Sequence, residues 1–135
     1  MGWTVLQRWP RQRNNPPKAF FMQPPRIRIL IGSAVAIGPG KAALLEAIGM
    51  TGSISAAARE MGMSYRRAWS LVNRMNTDFT GPLVEKVAGG KGGGGARLST
   101  LGRDVLSRYQ VIEEKAAESV KEDMAAFAPV LREQE

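Results

Sequence analysis

Ser53-Ile54-Ser55-Ala56-Ala57-Ala58-Arg59-Glu60-Met61-Gly62-Met63-Ser64-Tyr65-Arg66-Arg67-Ala68-Trp69 decides how this chain folds. Ala58 lies four residues before Gly62, and Ser64 follows two residues later. A small side chain lets two helices cross closely, and glycine permits the left-handed turn between them. Ser53 and Ser64 each stand where a hydroxyl caps the amino end of a helix. The segment therefore reads as two helices, Ile54–Met61 and Tyr65 to about Phe79, joined by a tight turn. Ala68, Val72, Met75 and Phe79, at spacings of four, three and four, form the buried stripe of the second.

Working outward, Arg26–Ile31 alternates and is rich in Ile, so it reads as a strand that can continue to Ile37. Gly38-Pro39-Gly40 turns the chain into a helix over Lys41–Met50, with Leu44, Leu45 and Ile48 on one face. On the other side, Gly81-Pro82 ends the Tyr65 helix. Leu83–Val87 and Ala96–Leu98 read as two strands around Gly89–Gly95, a run of glycines broken only by Lys91. Ser99 or Thr100 caps a long last helix reaching about Phe127. The expected class is mainly α with a small β-hairpin wing: a winged helix-turn-helix followed by a long dimerisation helix. The expected boundaries are a Pro-rich basic leader over 1–25, the DNA-binding domain over 26–98, the dimer helix over 99–127 and a tail over 128–135. A leader of that composition, with Met22 inside it, is read as dispensable for the fold.

The chain has 135 residues and a formal charge of +7, with neither cysteine nor histidine. Their absence removes disulfides, thiol nucleophiles, Cys- or His-ligated zinc and every imidazole acid or base. Residues 26–103 carry eleven Lys and Arg against four acids, whereas residues 104–135 carry four bases against eight acids. A basic middle beside an acidic end points to a polyanion at one region and water or a partner at the other. The longest apolar stretch, Ile29–Ile37, is broken by Gly32-Ser33 and falls short of the roughly 20 residues a membrane helix needs. No membrane partner and a cytoplasmic address are expected.

With Ala68 at the centre of the buried face, Arg66, Ser70, Asn73 and Thr77 point outward. Arginine suits guanine and asparagine suits adenine in the major groove. No acid occurs from Met61 to Thr77. Tyr65, Arg66, Ser70 and Asn73 are therefore the expected base contacts of a recognition helix over about 65–79. Ser53, Ser64, Arg67, Arg74, Lys86, Lys91, Gly92, Gly93 and Arg97 are the expected phosphate contacts, the last five on the wing, centred on 88–96. Trp69 is read as packing that covers the gap between the helices. On the last helix, Leu101, Val105, Tyr109, Ile112, Ala116, Val120 and Met124 form the expected dimer seam.

A glycine run with a lysine also raises a nucleotide-binding loop. That pattern needs Gly, four residues, then Gly-Lys-Ser/Thr. Neither Gly40-Lys41 nor Gly90-Lys91 has the first glycine or the hydroxyl follower. A small nucleotide-binding enzyme is the weaker alternative, and a non-specific nucleic-acid adaptor is another. The expectation is no enzyme, no catalytic residues, no metal and no cofactor.

Thr51–Ala58, Met63–Trp69, Pro82-Leu83-Val84-Glu85 and Gly89–Leu98 resemble the DNA-binding domain of ModE-type molybdenum-responsive regulators. Leu98-Ser99-x-x-Gly102 is similar to the wing-to-helix junction of that family and, more loosely, of LysR-type regulators. The resemblance spans about residues 26–127. It implies a winged-helix homodimer acting as a bacterial transcription regulator on double-stranded DNA, with dimerisation through the long helix. Members of that family continue into an oxyanion-binding domain that these 135 residues do not include. The resemblance therefore carries DNA binding across, and molybdate binding by this chain is not expected.

Overall fold

The computed structural model describes residues 24–88 and 94–132. The chain divides into two units, one over Ile27–Tyr109 and one that includes Gln110 onward. The first is a winged helix-turn-helix.

It opens with an antiparallel hairpin, β1 (Ile29–Ile31) and β2 (Ala34–Ile37). Gly32, at φ +62°, makes the turn. The sequence reads as one strand over Arg26–Ile31 that can continue to Ile37, whereas the chain reverses at Gly32. The isoleucine-rich composition conceals the reversal, which only Gly32-Ser33 marks. The register shifts between Ile29 and Leu30, and Leu30 and Ile31 stay exposed while Ala36 and Ile37 are buried.

Gly38 and Pro39 then start α1 (Pro39–Thr51), which ends at Gly52 in the left-handed region. The Gly52 N–H donates to Ile48 O at 2.8 Å. Next comes α2 (Ile54–Met61), whose first turn is capped by Ser53 Oγ accepting from Ala56 N at 3.0 Å. Gly62 (φ +67°) turns the chain, and Met63 N donates to Ala58 O at 3.0 Å. Ala57 and Ala58 are buried there, so the close helix crossing expected from their size is present. The third helix, α3 (Tyr65–Asp78), begins at Ser64, whose Oγ accepts from Arg67 N at 3.1 Å.

β3 (Val84–Val87) and β4 (Gly95–Leu98) form the second hairpin in an unbroken antiparallel register. The core joins both hairpins and every helix of this unit. Leu44, Leu45 and Ile48 from α1, Ala57 and Ala58, Ala68, Val72 and Met75, and Leu83 meet in it.

The last long helix, α4 (Thr100–Ser119), contributes Leu106 and Tyr109 to that same core, with Leu101 and Val105 packed against it. Tyr109 is 1% exposed and its hydroxyl donates to Ile27 O at 2.5 Å. The first ten residues of α4 thus belong to the same unit as the winged helix, where the sequence reading places a boundary at Ser99. Regular α4 also ends earlier than expected. Val120 adopts φ −109° and ψ 5°, after which α5 covers only Lys121–Ala125 and a 3-10 turn covers Ala128–Val130. Ser119 Oγ donates back to Ala116 O at 3.0 Å, the same oxygen that accepts from Val120 N at 3.2 Å. No helix among the described residues is long and apolar enough to cross a membrane.

Candidate nucleic-acid interface

The buried stripe of α3 fixes which side chains face water. Ala68, Val72 and Met75 are enclosed, so Tyr65, Arg66, Arg67, Trp69, Ser70, Asn73, Arg74 and Thr77 are all exposed. Arg66, Ser70, Asn73 and Thr77 follow one another at spacings of four, three and four along the outer face. Ser64 keeps its hydroxyl on the cap, and Arg67 stands free beside it. At the far end Arg74 Nε reaches Asp78 Oδ2 at 3.4 Å, an exposed pair that phosphate could displace at little cost.

The wing is aimed by polar clamps. Asn76 Oδ1 accepts from Leu83 N at 2.8 Å and Val84 N at 3.1 Å, while its Nδ2 donates to Val84 O at 3.1 Å. One side chain of α3 therefore holds the start of β3. At the other foot, Ser99 Oγ donates to Pro82 O at 2.6 Å and accepts from Gly102 N at 2.9 Å. Ser99 N completes the junction by donating to Leu83 O at 2.9 Å. Gly102 is required here because a Cβ would sit 2.1 Å from Leu83 O. Arg103 Nη1 also donates to Leu98 O at 3.0 Å.

Near the tip-side end of the hairpin, Ala96 N donates to Gly52 O at 2.8 Å. A Cβ on Gly95 would lie 2.8 Å from that same oxygen. The last glycine of the run thus serves close backbone packing on the end of α1. On the open face of the wing, Glu85 Oε2 accepts from Arg97 Nε at 3.2 Å across the strands, and Lys86 is exposed. Lys91, Gly92 and Gly93 lie outside the described residues.

Between the wing, the amino end of α2 and the first turns of α3 lies an open cleft of about 560 Å3. Ser53, Ser55 and Lys86 line it, as do Tyr65 and Trp69. Trp69 is 46% exposed and Tyr65 55%, so Trp69 faces this cleft instead of covering the gap between the helices. That gap is narrow enough for Ala57, Ala58 and Ala68 to close it by themselves. The four expected base contacts consequently fall into two groups. Arg66, Ser70 and Asn73 form the outer row, while Tyr65 joins Trp69 on the wing side.

Asn76 was not singled out by sequence reasoning for the work it does, whereas Ser99 was a candidate cap of the last helix and accepts from Gly102 N as such. Their signal was position: an asparagine just before Gly81-Pro82, and a serine three residues before a glycine at a strand-to-helix junction.

Residues 41–103 match the family described as bacterial regulatory helix-turn-helix protein, lysR family. This segment is similar to LysR-type helix-turn-helix domains. The chain is 46% identical over 89 residues to the molybdenum-pterin-binding protein MopB of Rhodobacter capsulatus, covering 66% of this chain and 33% of that protein. It is 44% identical over 88 residues to the transcriptional regulator ModE of Yersinia pestis, covering 63% and 34% of the two. Against the DNA-binding transcriptional dual regulator ModE of Escherichia coli the identity is 40% over 90 residues, covering 64% and 34%. The chain therefore has ModE- and MopB-type homologues over the winged-helix region, and it spans about a third of their length. These homologues include DNA-binding transcriptional regulators.

Proposed function

We propose that this protein is a sequence-specific, DNA-binding transcription regulator that acts as a homodimer and catalyses no reaction. In this reading α3 enters the major groove, with Arg66, Ser70 and Asn73 on base edges. Arg67, Arg74, Lys86, Arg97 and the wing tip meet the sugar–phosphate backbone, which fixes register without reading sequence. Ser53 and Ser64 stand at the amino ends of the two helices, where phosphate is favoured. The observation that carries the proposal is the acid-free outer row of α3 beside a hairpin clamped to that same helix by Asn76.

Dimerisation rests on the part of α4 beyond Tyr109. Leu101, Val105 and Tyr109 are engaged within their own domain and leave little surface for a partner. Ile112 is 40% exposed and its neighbour Val111 44%, while Ala116, Val120 and Met124 are half-buried. Val111 and Ile112 are accordingly the side chains we assign to the seam between two copies.

The test is a binding titration of the purified chain against a duplex selected from a random library and against scrambled duplexes. A regulator prefers the selected duplex by about 10³-fold or more. Arg66→Ala should cost about 1–3 kcal/mol on the selected duplex and relax choice at one base pair. Equal loss on scrambled duplexes would show a non-specific adaptor instead. Sedimentation of the wild type at micromolar concentration should show a dimer; a monomer there overturns the dimer assignment.

A further inference from the structure

The cleft between α3 and the wing has two chemically different walls. Tyr65 and Trp69, one helical turn apart, form the first and leave about half of each aromatic ring system in water. The second mixes the hydroxyls of Ser53 and Ser55 and the Lys86 cation with Ile54, Val87, Ala88 and the backbone of Gly94–Ala96. A tryptophan held half-exposed on a helix otherwise faced with Arg, Ser and Asn is costly to leave in water. Its natural complement is apolar surface that arrives together with anionic charge.

A duplex presents that combination at one kind of place. In the major groove the thymine 5-methyl is the apolar group on the base edges, and a phosphate of the same strand lies beside it. The amino-terminal residues of a recognition helix are those that approach base edges most closely. Tyr65 is the first residue of α3 and Trp69 follows one turn later. Arg66, Ser70 and Asn73 occupy a different row and do not line the cleft.

We propose that Tyr65 and Trp69 are specificity-determining residues that recognise thymine through its 5-methyl group, while Lys86, Ser53 and Ser55 receive the neighbouring phosphate of that strand. This inference deepens the DNA-binding reading above and rests on it. It divides the recognition surface into an aromatic row that reads methyl groups and a polar row that reads hydrogen-bonding edges.

The experiment scans the selected duplex with deoxyuridine in place of thymine, one position at a time, using the full chain. Deoxyuridine keeps every hydrogen-bonding group and removes only the methyl. One or two positions should weaken by about fourfold, the effect of one buried methyl group. Trp69→Ala should bind thymine and deoxyuridine equally at those positions, whereas Arg66→Ala should keep the discrimination. The scan on wild-type protein does not depend on whether Trp69→Ala folds. Specific binding with no position sensitive to deoxyuridine overturns the inference and leaves the regulator reading standing. Discrimination that survives in folded Trp69→Ala overturns the assignment to that residue. A wild type with no preference among duplexes overturns both readings.

Discussion

The two hairpins of the winged-helix unit are built from similar strands but held very differently. β1–β2 pairs over three positions with a register shift, and its exposed corner carries Leu30 and Ile31. β3–β4 pairs over four positions without interruption. Its feet receive Asn76 from α3 and Ser99 and Gly102 at the start of α4, and its tip-side end bonds Gly52 at the end of α1. In the first hairpin Lys41 Nζ donates to Val35 O at 2.6 Å, and burial of Ala36 and Ile37 supplies the rest of the anchorage. A hairpin that only completes a core can be irregular. In the proposed reading the second must point at DNA, and its direction is fixed by hydrogen bonds from α3, the helix assigned to the groove.

The strongest way to break this contrast is at the wing junction. Gly102→Ala places a methyl group against Leu83 O, where 2.1 Å is available and the obstacle is backbone. The clash must push α4 away from Pro82-Leu83 and weaken the Ser99 bonds. We expect a loss of about 3 kcal/mol or more, measured by urea denaturation. A variant as stable as wild type would mean that the junction is looser than its geometry.

Asn76→Ala comes next. It removes three hydrogen bonds and leaves the Leu83 and Val84 N–H groups, in a buried segment, without that acceptor. The expected cost is about 1–3 kcal/mol, and selectivity for the chosen duplex should fall with it. Lost stability with unchanged selectivity would show that the wing does not need to be aimed by α3.

How far the sequence disclosed these arrangements depended on distance along the chain. Ala58, Gly62 and Ser64 make local bonds, so the helix-turn-helix was readable within a dozen residues. The partners of Asn76 lie seven and eight residues away and leave no periodic trace. Ser99 combines a local cap on Gly102 N, legible in the sequence, with bonds to Pro82 and Leu83 across the strand pair, which were not. On α4 the apolar spacing marked a different stripe from the buried one: Leu106, Tyr109, Glu113 and Ala117 are buried, and of the expected seam only Tyr109 is. Leu101, Val105 and Tyr109 looked like a partner seam, yet they complete the core of their own domain. The outer row of α3 was legible because an acid-free face needs only the helical period. The position of Trp69 was not, since it depends on the cleft that the wing creates.

Gly32→Ala probes the other hairpin. Its φ of +62° favours glycine, but nothing lies within 4 Å of an added Cβ. Backbone strain alone should cost about 1 kcal/mol, with duplex affinity unchanged once the protein is folded. An affinity loss there would give the first hairpin a part in binding and erase the distinction drawn above.

The smallest effect on stability is expected at Glu85, which faces Arg97 across the wing at 3.2 Å with both side chains largely exposed. Glu85→Gln should change stability by no more than about 0.5 kcal/mol, because an exposed pair gains little over its hydrated ions. Its effect on binding has a definite sign. The carboxylate opposes phosphate and competes for Arg97, so its removal should tighten binding at low salt. A freed arginine that neutralises one phosphate steepens the dependence of log affinity on log salt by about 0.9. The gain should be the same on selected and scrambled duplexes, since backbone contacts carry no sequence information. It should fade as salt is raised. Tightening confined to the selected duplex would place Arg97 on a base edge, and no tightening at any salt would remove this face of the wing from the interface.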